Sequence, residues 1–572
     1  MSSRWLCIVS LFIVSSPVFA QDSRSPLRFV PDQAELVVKV DRPLELLNAV
    51  ETNDLFRDAQ KLAGVRDYYD TTTFQQLYQL IAYFEKQLGQ SRDEIIGELG
   101  AGGVVLGAKL TPPQGFVLVI QSKDEKKLRK FLDVGLDILQ KELERNESKD
   151  KITRSKYLGH DIGQVGPKVS FAIADGALIV ANEENVLKLA LDSNAKKTSV
   201  LQVPGFVEAH KKAPAKALAW AWVSLEAARK NPDFNNGLDA ASKDPFQMLL
   251  FGGFTDLLKR TPYVTAALTP DGKSGYRVAI AMPVGQKGMT PLKHMIVPKD
   301  GAAMLPPLQV PRVISSSSYC LDLGELWDKR VEILGKTNAA GLDDVEKNIA
   351  KFLGGIKLSK LFKAMGPNHR LVFAQQKEKP YKLKPSAPFP AFALVVDMRD
   401  PSFAKDMNSI FRAAALFATF QYGLKLKEET YKECDMVSYY LSETTKVEGD
   451  AEYSRFNYVP TYVKVGNQFV MSSTAELARD LVDALKAEQS PKPIQASMRT
   501  HLHSSGLADI IRMNEDTTLT QVILSQALPP KTAKEELRAI IDWVDRLGTV
   551  RLESHYGIND FRYDIRWQPK KK

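Results

Sequence analysis

The chain has 572 residues, of which 44% are hydrophobic and 25% charged, with 77 Lys+Arg, 68 Asp+Glu and three cysteines. That composition excludes wholesale disorder, a collagen-like rod and a cysteine-stapled miniprotein, and the length exceeds one common domain. A formal charge of +9 on so long a chain is small, and it names no anionic partner.

Residues 1–20 read as a secretory signal peptide. Arg4 gives a short positive start, Leu6–Val14 an apolar core broken only by Ser10, and Val18-Phe19-Ala20 a cleavage site that makes Gln21 the mature N-terminus. The apolar core is well short of the ~20 residues a membrane span needs. Later apolar stretches such as Gly102–Leu110 and Ala413–Phe420 are also too short to span. The sequence therefore predicts an exported protein, periplasmic or extracellular, with no transmembrane segment in the mature chain.

The mature chain reads as two α+β lobes, residues 21–285 and 313–572, joined by a Pro/Gly-rich linker at 286–312. Prolines at 291, 298, 306, 307 and 311 suit a segment that neither continues a helix nor enters a sheet interior. The lobes follow the same order. Leu36–Val40 and Val313–Leu321 each predict a strand, followed by Asp41 or Asp322 at a helix start. Gly115–Ile120 and Ala391–Val396 each predict a strand leading through Asp124 or Asp400 into a long helix. Leu128, Phe131, Leu132 and Leu136 line the first helix, and Phe403, Met407, Ile410 and Phe411 line the second.

A strand–turn–strand–helix unit follows in both lobes, turning at Asp175-Gly176 and at Gly466-Asn467. Ser473 and Glu476 form a capping-box pattern for the second of these helices. Ala217–Val223 predicts a strand, with Trp220 and Trp222 as core. Each lobe closes on a hairpin, one turning at Pro270-Asp271-Gly272 and the other near Gly557-Ile558-Asn559. A helix with Thr532 and Glu535 at its start and Gly548 at its end precedes the second hairpin. The expected fold is thus two tandem homologous α+β lobes, each a largely antiparallel sheet with amphipathic helices packed on one face.

The run Val30-Pro31-Asp32-Gln33-Ala34 leading into Glu35–Asp41 resembles the start of large secreted bacterial proteins in an uncharacterised, domain-of-unknown-function class. The resemblance implies the general plan of each lobe and transfers no catalytic residue.

Motifs with chemistry are few. Leu334-Gly335-Lys336-Thr337 lacks the earlier glycine of a phosphate loop, since position 330 is Arg, and there is neither a G-x-S-x-G elbow nor an H-E-x-x-H pair. His501 and His503, at i, i+2 on a strand, with Glu553 and His555 at the same spacing, form a mixed metal site only if their strands are neighbours. Cys320 and Cys434 remain after signal removal and are a possible disulfide in an oxidising compartment. The basic excess is diffuse and accompanies no nucleic-acid motif. The expectation is a cell-envelope protein that binds or scaffolds, without cofactor or catalytic motif. The alternatives are a carrier of an apolar or lipid-like ligand, or a hydrolase with dispersed residues.

Overall fold

The computed structural model describes residues 25–240, 254–283, 304–450, 452–488, 496–556 and 560–570. The signal peptide with its Ala20/Gln21 cleavage point, linker residues 286–303 and the last hairpin turn at 557–559 lie outside them.

The strands up to the middle of the chain are β1 Leu36–Val40, β2 Val104–Lys109, β3 Gly115–Gln121, β4 Ile152–Tyr157, β5 His160–Val165, β6 Val169–Ala174, β7 Ala177–Ala181, β8 Ala219–Ser224, β9 Tyr263–Asp271 and β10 Gly275–Pro283. Those after it are β11 Val313–Cys320, β12 Met365–Ala374, β13 Ala391–Met398, β14 Lys425–Tyr431, β15 Cys434–Tyr440, β16 Thr461–Val465, β17 Gln468–Ser472, β18 Met498–His503, β19 Thr549–Tyr556 and β20 Asp560–Gln568. All twenty join one sheet in which every pairing is antiparallel.

From edge to edge the first half runs β4-β5-β6-β7-β3-β2-β1-β8-β9-β10. The pair β10–β20 crosses to the second half, which runs β20-β19-β18-β11-β12-β13-β17-β16-β15-β14. Read outward from that junction, the two halves use their strands in the same order. Register follows as well. The lateral row Ala281–Thr265–Trp222–Val37–Gly107–Val117 occupies the places that Arg566–Arg551–His501–Ser316–Val372–Ala393 occupy in the other half.

Helices cover both faces of the sheet, where the sequence pattern predicted one. On the first face, Leu187, Ala190 and Leu191 of helix Glu184–Lys196 pack on Val117, Val119, Ile179 and Ala181, and Leu477 and Leu481 of helix Ala475–Ala487 pack on Val372, Ala393, Val395 and Val470. On the opposite face, Leu128 and Phe131 of helix Glu125–Arg145 pack on Phe171, Ile173 and Val180, and Phe403 and Met407 of helix Ser402–Tyr422 pack on Val396, Tyr462 and Phe469. The cause is visible in β7, Ala177-Leu178-Ile179-Val180-Ala181, which is apolar at every position. A strand of that kind needs cover on both sides.

Local signals fare unevenly. Asp124 caps its helix by accepting from the N–H groups of Lys126 (2.9 Å) and Lys127 (3.1 Å). The capping box at Ser473/Glu476 does not form. Ser473 Oγ accepts from Phe392 N at 2.8 Å, and Glu476 accepts from the N–H groups of Lys377 and Glu378 at 2.9 and 2.7 Å. Thr474 caps the helix instead, accepting from Leu477 N at 3.3 Å. Thr532 and Glu535 likewise give way to Pro530 at the first helical position, while Gly548 (φ 79°) does terminate that helix.

The described end of the linker is no spacer. Met304 is buried, and Leu308 and Val310 enter the core beneath helix Ala475–Ala487. Prolines at 306, 307 and 311 keep this segment from pairing as a strand. Its carbonyls are met by side chains: Ser318 Oγ donates to Leu305 O at 2.5 Å, and Arg370 Nη1 to Pro306 O at 3.4 Å.

Candidate functional site

The second half carries an apolar groove of about 620 Å³. Its floor is a lateral row of the sheet, Leu371–Leu394–Met471–Tyr462, with Phe392 and Tyr439 on the same face. Phe411, from helix Ser402–Tyr422, forms one wall and stacks on Tyr462 with ring centroids 5.0 Å apart. Leu441, Arg455, Tyr458 and Pro460, from the connection between β15 and β16, complete the lining.

Polar groups in this lining are mostly engaged. Tyr462 Oη donates to Asn408 Oδ1 at 2.5 Å, and Arg455 pairs with Asp450 and donates to Thr445 O at 3.0 Å. The hydroxyl of Tyr439 is buried beside the Tyr462 phenol. Burial first, and then its hydrogen bond to Tyr462, push its pKa up, so it stays protonated. The groove is therefore an apolar trough whose few polar groups are engaged.

The matching face of the first half is filled. Phe171 and Val180 stand where Tyr462 and Met471 stand in the second half. They are covered by Leu128, Phe131, Leu132 and Leu136, with Phe84 and Leu88 of helix Thr72–Leu88 in a further layer. Phe84 and Phe131 stack there at 4.7 Å. The groove thus marks a difference in cover between two similar sheet faces.

Sequence reasoning placed Phe411 on the apolar face of its helix without seeing the groove. The available signal was the helix Ser402–Tyr422, whose apolar residues run round more than one face. Phe403 is buried, yet Leu416, Phe417 and Phe420 are 63%, 76% and 85% exposed.

The metal candidates are brought together and then occupied otherwise. β18 and β19 are neighbours, with Arg499 opposite Glu553 and His501 opposite Arg551. Arg499 grips the Glu553 carboxylate at 2.8 and 3.1 Å, Arg551 at 2.6 and 2.9 Å, and His555 Nε2 lies 3.2 Å from it. Burial raises the pKa of Glu553, but these two guanidiniums outweigh it and hold the carboxyl below its usual range. Burial, followed by the positive Arg551 and Arg499, pushes His501 down to about 4. A carboxylate shared by two arginines is not a free ligand, and among the described residues no group of three His, Cys, Asp or Glu is placed to hold a metal.

Cys320 ends β11 and Cys434 begins β15, and both are buried free thiols. β12, β13, β17 and β16 separate their strands, so the bridge left open by the sequence does not form. Trp220 and Trp222 are core residues, as expected. No described helix is long and apolar enough to cross a membrane.

No curated protein matches the sequence. Among solved structures, crystal form III of TP0453 aligns with a TM-score of 0.24 at 12% identity, covering 46% of this chain and 80% of that one. Crystal form I of the same protein gives a TM-score of 0.23 at 12% identity, covering 46% and 79%. The resemblance seated on Val30–Asp41 finds its counterpart further along the chain: residues 82–252 match the family described as "Protein of unknown function (DUF3352)".

Proposed function

We propose that the chain is an exported cell-envelope binding protein whose second half holds an apolar, acyl-chain-like ligand, and that its halves arose by duplication. The groove carries this reading. Its volume of about 620 Å³ lies inside the ~300–1,000 Å³ usual for small-molecule sites, and its lining is apolar apart from a few placed polar groups. The parallel strand order and register of the halves support the duplication. Within such a pair, one half keeps a filled face and the other is free to diverge into a site.

Organic extracts of the purified mature chain are expected to contain lipid detectable by mass spectrometry, and a fluorescent fatty acid is expected to bind it. Met471→Trp, which fills the floor of the groove, is expected to weaken that binding at least tenfold while the thermal transition is retained. Extracts free of lipid together with unaltered probe binding in the variant would rule the groove out as the site.

The scaffolding reading has its own observation, the exposed Leu416, Phe417 and Phe420 on one helix end. It expects self-association in sedimentation velocity that Phe417→Ser combined with Phe420→Ser abolishes. A monomer at every concentration would dispose of self-association through this patch.

A further inference from the structure

Across the junction of the halves, on the sheet face opposite the groove, like charges stand in line. Arg277 of β10 is opposite Arg566 of β20, Arg566 is opposite Arg551 of β19, and Arg551 is opposite His501 of β18. Directly opposed residues have Cβ atoms about 4.5–5.5 Å apart, and like charges so placed destabilise a sheet. The next row supplies partial compensation, running Asp564–Glu553–Arg499. Asp564 takes Arg277 at 2.6 Å, and Glu553 takes both Arg551 and Arg499.

Arg566 is left between two guanidiniums that are already paired, and its Nε is buried without a hydrogen-bond partner among the described residues. On the same face His501 Nε2 and His503 Nε2 are also buried without partners among the described residues. In these two rows four arginines thus confront two carboxylates, an excess of two positive charges. The fold itself does not require this. At the matching positions of the first half the sheet carries Ala281, Thr265 and Trp222 in place of Arg566, Arg551 and His501. The row remains reachable from solvent, since the side chains of Arg277 and Arg551 are 38% and 35% exposed.

We propose that the Arg277–Arg566–Arg551 row is a binding site for a dianionic phosphate group, with Arg566 as its central ligand. Guanidinium forks match the oxygens of a tetrahedral oxyanion, and a dianion cancels the excess charge of the row. Phosphate chemistry of this kind comes either from a free phosphate or from a phosphomonoester lipid headgroup such as that of phosphatidic acid. The site lies on the other face of the sheet from the groove and does not depend on the apolar-ligand reading.

The test uses the full mature chain with two probes. Inorganic phosphate is titrated against chloride at constant ionic strength, with thermal shift and calorimetry as readouts. Vesicles of phosphatidylcholine containing phosphatidic acid, compared with vesicles of phosphatidylcholine alone, are assayed by co-sedimentation. Arg566→Gln is expected to weaken binding at least tenfold and, with the row discharged, to leave the protein at least as heat-stable as the parent without anion. Arg562→Gln, at an exposed arginine paired with Asp560 outside the row, is expected to bind as the parent does. A phosphate response lost in Arg566→Gln supports a free-phosphate site. Arg566-dependent binding to the phosphatidic acid vesicles alone supports a headgroup site. No response to either probe, or equal responses in the parent and Arg566→Gln, overturns the proposal.

Discussion

Replacing Arg370 by Ala is expected to cost about 3–5 kcal/mol of stability, the range for removing one partner of a buried ion pair. Arg370, in β12, has the largest side chain among the described residues that are fully buried, at 1% exposure. Its guanidinium holds Glu488 at 2.7 and 2.9 Å and Gln468 Oε1 at 2.6 Å, and reaches the Pro306 carbonyl. One side chain therefore ties the end of helix Ala475–Ala487, β17 and the described end of the linker to the sheet. Truncation leaves those acceptors in a low-dielectric site without their donor, which is why the cost exceeds that of a surface pair. Urea unfolding of parent and variant checks this. A loss below about 1 kcal/mol would mean that water or Glu488 rearrangement satisfies the cluster. The double variant Arg370→Met with Glu488→Gln is expected to recover part of the loss, because no charge is then left buried alone.

Phe206→Ala is expected to cost about 3–5 kcal/mol for a different reason. Phe206 is fully buried on helix Pro204–Lys211 and meets Trp220 and Trp222 edge-on, each at 5.5 Å between ring centroids. The helix buries only Phe206 and Ala209, so this ring carries most of its attachment to the sheet. Its loss opens a cavity between two indoles that are each fixed by strand pairing and cannot close in. Unfolding midpoints measure the cost. A fall of less than about 1.5 kcal/mol would show that the helix resettles onto the tryptophans. At the position matching Trp222 the second half carries His501.

Much of this architecture was legible because it depends on local periodicity. Gly115–Ile120 and Ala391–Val396 alternate or run apolar over strand lengths, and the helices after Asp124 and Asp400 repeat at i, i+3, i+4, so both elements and their order could be read directly. What could not be read was which strands meet. The β10–β20 pairing depends on residues 287 positions apart in the Arg277–Asp564 bond, and no local pattern encodes it. Capping failed where tertiary partners outbid the local one: Ser473 and Glu476 had the right spacing but were claimed by Phe392 and the Lys377 loop. The groove was hidden for a related reason. Tyr439, Tyr462 and Met471 are of the same residue types as the core, and only the side chains that tertiary packing brings over the sheet separate a filled face from an open one.

The strand order also dictates how the sheet is guarded against polymerising. Its two outer strands are built for exposure: β4 reads Ile-Thr-Arg-Ser-Lys-Tyr and β14 reads Lys-Leu-Lys-Glu-Glu-Thr-Tyr, with charges along edges that would otherwise recruit a neighbour. The inner strand β10 carries a single charge, Arg277, among Tyr276, Val278, Ile280 and Met282. Its partner β20 follows much later in the chain. Until β20 is made, the first half presents an adhesive border, and a chain truncated before Asp560 is left with β10 open to pair with another copy.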